Sequence, residues 1–146
     1  MLRKLTKKNG YRCTAFYDGD IFVGFTFVLY SDNTVFVLYF AVNTNLRAKG
    51  YGSMIQKKMF ESFPNAEFVC HVEPLIPEAP NYEQRLKRVR FYERLGLIPT
   101  GYATDDDGVW YWVMSNRGRD FDRSAYEKLF FDLEGEEGVP IIYPIK

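Results

Sequence analysis

The chain has 146 residues, of which 47% are hydrophobic and 18% aromatic, so a disordered protein is excluded and a single folded domain is predicted over 1–146. Nineteen basic residues balance nineteen acidic ones, which leaves no electrostatic case for nucleic acid or an anionic membrane as the main partner. No run of 18 apolar residues occurs and the N-terminus lacks the apolar core of a signal peptide, so we expect a cytoplasmic protein without a membrane partner.

Apolar and aromatic runs separated by turn residues predict an antiparallel meander near the N-terminus. The turns are Asp18-Gly19-Asp20 and Ser31-Asp32-Asn33, and the three strands are expected at 11–18, 21–30 and 34–42. Only ten residues precede the first of these strands, about enough for the end of one helix.

Helices and a strand alternate in the middle of the chain. A helix is predicted over 50–63, followed by an apolar strand over 67–73 that a helical crossover would place parallel to its neighbour. After a proline-containing loop at 74–80, Asn81 is predicted to cap a helix over 82–95.

The C-terminal third predicts a hairpin, a helix and a tail. Strands are expected at 97–103 and 109–114, and the capping box Ser124 to Glu127 opens a last helix that ends at Leu133. Trp110, Tyr111 and Trp112 lie on a strand that is apolar on both faces, so core packing is expected, with a dimer contact or cleft wall as the alternative.

A glycine-rich segment at 47–53 follows the third strand and opens the first helix. Gly50 and Gly52 let an anion approach the backbone, the helix start supplies N–H donors, and Arg47 and Lys49 add positive charge. The segment therefore predicts a phosphate site rather than a flexible turn. A nucleoside-triphosphate loop is excluded because no lysine follows Gly52, and a dinucleotide fingerprint because its third glycine is missing.

The remaining pattern, Arg-x-x-Gly-x-Gly after Phe40-Ala41-Val42, is similar to the pyrophosphate-binding motif of the GNAT family, the acetyl-coenzyme A-dependent N-acyltransferases. The segment 90–97 resembles the family's Phe-Tyr-x-x-x-Gly-Phe segment, with Leu97 in place of the usual phenylalanine. The resemblance covers roughly residues 11–114 and implies an α/β fold with a mixed sheet, in the order β-β-β-α-β-α-β-β, followed by a C-terminal helix and tail over 115–146.

The resemblance also implies a function and a cofactor site. It suggests direct transfer of acetyl from acetyl-coenzyme A to an amine of a small molecule or peptide, without a metal. It assigns pantetheine and the acetyl group to the backbone of Phe40, Ala41 and Val42. It assigns the pyrophosphate to the glycine segment, which comprises Arg47, Ala48, Lys49, Gly50, Tyr51, Gly52 and Ser53.

The proton chemistry needs a base for the amine and an acid for the departing thiolate. The strand at 35–42 carries no carboxylate, so Glu73, at the end of the next strand, is expected as the base, with a solvated carboxylate as the alternative. His71 lies two residues earlier, on the same face by alternation, and is expected to be a satisfied sheet residue. Tyr92 occupies the position of the tyrosine that protonates the thiolate in the family, with simple packing as the alternative.

Two departures from the family shape the remaining expectations. The family's opening strand and two helices have little room here, and its asparagine seven residues before the tyrosine is Arg85. We expect the helix over 124–133 or the tail over 139–143 to cover the resulting apolar gap, either from its own chain or from the second subunit of a homodimer, and the homodimer is favoured because a two-fold contact buries both copies of the patch. The competing function, favoured by these departures, is a non-catalytic acyl-coenzyme A-binding module.

Overall fold

A computed structural model describes residues 2–8, 10–46 and 49–145, which fall into two compact units, one ending at Ala66 and the other beginning at Glu67. The first unit contains β1 (Leu2–Lys8), β2 (Tyr11–Asp18), β3 (Ile21–Tyr30), β4 (Thr34–Val42) and α1 (Tyr51–Ser62). The second contains β5 (Glu67–Val72), α2 (Tyr82–Arg94), β6 (Ile98–Asp106), β7 (Val109–Ser115), α3 (Arg123–Glu134) and β8 (Ile142–Pro144). The single domain inferred from chain length stays a prediction.

The first unit is an antiparallel meander in which each strand from β1 to β4 pairs with the next. The three strands predicted at 11–18, 21–30 and 34–42 are confirmed at those bounds. Ile55 and Met59 of α1 are buried, and the Ile55 side chain reaches β3 at Gly24. The unit therefore joins the meander to the helix that begins at the glycine segment.

The expectation that the N-terminus holds only the end of a helix is wrong, because Leu2–Lys8 forms a strand that pairs with β2 along its whole length. Four of its seven residues are basic, so the sequence shows no apolar alternation. Backbone hydrogen bonds to the neighbouring strand, rather than an amphipathic pattern, form it. The inference that the opening strand is missing is therefore wrong too.

A β-bulge interrupts β4 before its C-terminal end. Phe27 pairs with Tyr39 and the next residue of β3 pairs with Val37, so Leu38 is the extra residue. As a result Leu38 and Tyr39 are both exposed, although regular alternation would expose only one of them. The bulge twists the strand just before Phe40, where the sequence predicts cofactor contacts to begin.

In the second unit β5, β7, β6 and β8 lie side by side in that order, and every neighbouring pair is antiparallel. α3 covers one face through Tyr126, Leu129 and Phe130, which are all buried. Tyr126 reaches β5, where its hydroxyl hydrogen-bonds His71 Nε2 at 2.7 Å. α3 and β8 are thus both part of this unit's own structure.

Both predicted caps are wrong in mechanism. Asn81 occupies the N-cap position of α2, but its side chain makes no cap hydrogen bond. α3 begins at Arg123 rather than after Ser124, because the Asp122 carboxylate accepts from Ala125 N–H at 3.1 Å. An aspartate two residues upstream thus provides the cap that the sequence assigned to serine.

A buried carboxylate lies at the start of β5. Glu67 is 1% exposed and accepts hydrogen bonds from the Ser115 hydroxyl and from Asp122 N–H, the latter at 3.1 Å. Arg117 lies 3.8 Å from the same carboxylate and adds a positive charge. These partners compensate a charge that burial would otherwise make costly.

Candidate functional site

The segment between β4 and α1 is shaped by Asn43, a residue that the sequence reasoning missed. Its side-chain amide donates to Phe22 O at 2.9 Å and its carbonyl oxygen accepts from Asn45 N–H at 3.1 Å. Its own N–H donates to Val23 O at 2.9 Å. A polar residue directly after an apolar strand is the usual start of such a turn, so the signal was present.

The start of α1 presents backbone N–H groups that lie outside the intrahelical ladder. Gly50 has φ 79°, in the left-handed region, and no side chain of the described residues caps the helix. The first intrahelical hydrogen bond runs from Met54 N–H to Gly50 O at 3.2 Å, so the N–H groups of Tyr51, Gly52 and Ser53 precede the intrahelical ladder. An anion fits here because these donors and the helix dipole act together.

Two positive charges were predicted beside this helix start. Lys49 is exposed next to Gly50. Arg47 and Ala48, which the sequence also assigns to the pyrophosphate, lie outside the described residues.

Tyr51 has a partner that the sequence did not predict. Its hydroxyl donates to the Asp18 carboxylate at 2.7 Å, and this hydrogen bond raises the pKa of Tyr51. The phenol is therefore bound to the β2–β3 turn, and what Tyr51 offers an anion is its backbone N–H. No local pattern joins these residues, which are 33 positions apart.

Gly24 lies where the predicted pantetheine strand, β3 and α1 meet. It pairs with Val42, and a Cβ added to it would lie 2.3 Å from Ala41 O and 2.8 Å from Ile55 Cδ1. A side chain of any size would therefore displace the end of β4. A lone glycine within an aromatic strand marks such an approach, so this residue too left a signal in the sequence.

In the second unit Glu73 follows β5 and is held by α2. Its carboxylate lies 3.0 Å from Arg85 Nη2, and Asn81 Nδ2 is 3.4 Å from both of its oxygens. Arg85 also donates to Asn81 Oδ1 at 2.8 Å and to Pro74 O at 3.0 Å. The proposed base is therefore half-exposed but ion-paired, and the Asn81 Oδ1 that could cap the helix accepts from Arg85 instead.

Tyr92 belongs to a different set of side chains on α2. It is 4% exposed and lies near the buried Cys70 of β5 and the Arg88 side chain. Burial is the main reason that the pKa of Tyr92 is raised; Cys70 adds to the rise and Arg88 opposes it. The phenol therefore keeps its proton at neutral pH, as a proton donor must.

His71 and Glu73, which strand alternation predicts on one face, bind different elements of the second unit. The His71 imidazole bonds Tyr126 of α3 and stacks on Tyr111, whereas Glu73 bonds α2. Glu73 is the first residue after the strand, which ends at Val72. Burial lowers the pKa of His71 to about 4, which keeps the ring neutral and fits a satisfied sheet residue.

The described residues contain no group of three or more His, Cys, Asp or Glu side chains that could hold a metal ion. None of their helices is long and apolar enough to cross a bilayer.

No protein-family model matches the chain. A structure from Bacteroides thetaiotaomicron, assigned to the GNAT acetyltransferases, is similar with a TM-score of 0.64 and 26% identity, over 86% of this chain and 74% of that one. An aminoglycoside 6′-N-acetyltransferase complexed with coenzyme A gives 0.56 and 17%, over 73% and 72%. The ribosomal-protein-S18-alanine N-acetyltransferase of Escherichia coli gives 0.56 and 14%, over 75% and 70%.

Proposed function

We propose that this chain, an acyltransferase of the GNAT type, transfers the acetyl group of acetyl-coenzyme A directly to an amine of a small molecule or peptide. The observation that supports the proposal best is the start of α1, where three backbone N–H groups follow a left-handed glycine without a side-chain cap. The GNAT fold, expected from the segments 47–52 and 90–97, is shared with the solved structures.

The first unit holds the cofactor in this proposal. The backbone of Phe40, Ala41 and Val42 binds pantetheine, the region around Lys49 and Gly50 receives the pyrophosphate, and the start of α1 supplies N–H donors at Tyr51, Gly52 and Ser53. Bound acetyl-coenzyme A supplies an acetyl group activated as a thioester. Gly24 and Asn43 hold the end of β4 and the glycine segment in place in this proposal. Their positions matter because cofactor affinity falls when hydrogen-bond donors are misaligned.

The second unit supplies the proton chemistry. Glu73, fixed by Arg85 and Asn81, accepts the proton of the amine directly or through a water. Tyr92 keeps its proton at neutral pH and can give it to the sulfur that leaves the acetyl group. Glu73 takes the proton that the amine nitrogen loses as it bonds the acetyl carbon, Tyr92 gives its proton to the sulfur as the carbon–sulfur bond breaks, and solvent returns both residues to their starting protonation.

The acceptor remains generic in this proposal. One similar enzyme is named for an aminoglycoside and another for the alanine of a ribosomal protein, so both small molecules and polypeptides belong in a first screen. The enzyme of this proposal is cytoplasmic and homodimeric.

Calorimetry with coenzyme A on Gly52→Asp and Gly52→Asn tests the cofactor site. Aspartate near a helix start favours the helix, so folding should survive while the carboxylate repels the pyrophosphate. We expect Gly52→Asp to lose at least tenfold more affinity than the neutral, near-isosteric asparagine variant. Equal coenzyme A affinities in both variants and the wild type would contradict a phosphate site at this helix start.

A second function, the acyl-coenzyme A-binding module, is favoured by the ion pair that engages the Glu73 carboxylate. Thiol release from acetyl-coenzyme A separates the two functions. An enzyme releases thiol faster when polyamines, amino acids, aminoglycosides or peptides with free N-termini are added. A module binds coenzyme A and releases no additional thiol with any of them.

A further inference from the structure

One face of the second unit's sheet carries large apolar side chains that its helices leave in solvent. Trp110 is 47% exposed and Tyr143 45%, and the residues on either side of β8, Ile141 and Ile145, are 66% and 44% exposed. Trp112 is half-buried beside them. The prediction that this part of β7 is core is therefore wrong for Trp110.

Strand register places these side chains on one surface. Trp112 lies opposite Ala103 and Ala103 opposite Tyr143, so these three residues share a face. Alternation adds Trp110 from β7, and its ring meets that of Tyr143 at 5.6 Å in an edge-to-face contact. Alternation along β8 adds the last two members of what we call the tryptophan face: Trp110, Trp112, Ile141, Tyr143 and Ile145.

We propose that the tryptophan face is the surface on which a second copy of this chain docks. Covering the five side chains would remove roughly 450 Å² of accessible surface from each copy. A two-fold pair would bury about 900 Å², and its polar rim brings the total to the ~1,000 Å² that a specific interface needs. A two-fold axis makes this sufficient because it covers both copies of the same patch at once.

The alternative geometry, in which two β8 strands extend one sheet, is disfavoured by the backbone. Ile145 N–H donates to Gly101 O at 2.8 Å, so Tyr143 and Ile145 direct their backbone groups toward β6. Ile142 and Pro144 then direct theirs to the outer edge, where the proline has no N–H to donate. The second copy therefore binds through the face and not along the strand edge.

This docking surface replaces the one inferred from the sequence. The capped helix was expected to cover a gap beside the acceptor cleft, but α3 buries its apolar side on its own sheet through Tyr126 and Leu129. The exposed part of the tail, around Tyr143, belongs to the face itself. A two-fold contact at the low end of interface sizes belongs to the weak class, so we expect a Kd on the order of micromolar.

The two tryptophans of the chain both lie on this face, so its own fluorescence reports docking. Diluting the full-length wild type from about 100 to about 1 µM, across the expected Kd, should shift its emission to the red as the rings become hydrated. Light scattering over the same range should show a dimer becoming a monomer. An unchanged spectrum together with a monomeric mass at every concentration would overturn the proposal.

Substitutions locate the interface. Trp110→Asp and Tyr143→Asp should each be monomeric at about 100 µM, because a carboxylate cannot be buried in the contact without a partner. Phe131→Asp is the matched control: this side chain is 55% exposed on α3, outside the tryptophan face, and its variant should remain dimeric. Dimers in both face variants would place the interface elsewhere, and Tyr143→Phe, which keeps the ring, tests the same position if an aspartate variant fails to fold. Coenzyme A affinity should be unchanged throughout, so failure here leaves the proposed function untouched.

Discussion

Replacing Gly24 by alanine should damage cofactor binding without touching the cofactor. The new Cβ would lie 2.3 Å from Ala41 O, 2.8 Å from Ile55 Cδ1 and 3.3 Å from the Cα of Val42. A flexible isoleucine can turn away, but the carbonyl oxygen belongs to the backbone of β4 and must retreat by about 1 Å to reach ordinary contact. The substitution therefore moves the segment that we propose to bind pantetheine.

The size of the effect follows from two opposed terms. Overpacking costs about 1–3 kcal/mol, whereas alanine suits a strand better than glycine by about 0.5–1 kcal/mol. We expect the free energy of unfolding to fall by about 1–2 kcal/mol. The misaligned backbone should weaken coenzyme A binding by about tenfold, the equivalent of one or two hydrogen bonds.

The assay is calorimetry with coenzyme A beside urea unfolding, and Gly108→Ala is the control. A Cβ at Gly108 meets nothing, but φ is +88° there, so alanine is strained by about 1–2 kcal/mol without reaching β4. The control should lose similar stability and keep its affinity. Wild-type affinity and stability in Gly24→Ala would show that the new Cβ does not displace β4. Equal losses of coenzyme A affinity in both variants would attribute the loss to lowered stability and not to a displaced β4.

Four further outcomes are expected. Glu73→Gln should reduce turnover on the order of 10²-fold with acetyl-coenzyme A affinity retained, and unchanged turnover would exclude Glu73 as the base. Tyr92→Phe should also keep cofactor affinity and lower the rate of thiol release in steady-state assays, unless the ring serves packing alone. Asn43→Ala should weaken coenzyme A binding several-fold in calorimetry, because about 1 kcal/mol of hydrogen bonding is lost from the turn that leads to the glycine segment. The pKa of His71 is lowered to about 4, so as the pH falls below about 6.5 the unfolded chain binds a proton before the folded chain does. The free energy of unfolding should therefore fall by about 3 kcal/mol between pH 7 and pH 4. Urea unfolding at these two pH values should show a smaller loss for His71→Gln.

Local signals in the sequence were enough to predict most strands and the helix of the first unit. The strands over 11–42 are long aromatic runs between turn residues, and the helix starts directly after Gly50, the first glycine of the glycine segment. β1 was missed because its basic residues hide any apolar alternation, and its pairing with β2 is a tertiary property. β8 has only three residues, too few for a period to be read.

The contacts that tune the candidate site are mostly long-range, and this is why sequence reasoning missed them. Glu73 could be chosen as a carboxylate at a strand end, but its ion pair with Arg85 depends on how the intervening loop folds back on α2. Arg85 also binds the Asn81 Oδ1 that was expected to cap the start of α2. Asp18 meets Tyr51 only because the β2–β3 turn is brought to α1.

The buried carboxylate of Glu67 has a consequence for the order in which the chain acquires structure. Glu67 is the first residue of the second unit, yet the hydroxyl and N–H that compensate its charge lie 48 and 55 positions further along. On a ribosome that adds about 5–20 residues per second, the first unit can fold before Ser115 and Asp122, the partners of Glu67, have been synthesised. The second unit therefore cannot complete its core until Asp122 has been synthesised, and a chain that stops before Ser115 would expose an uncompensated acid where its sheet begins.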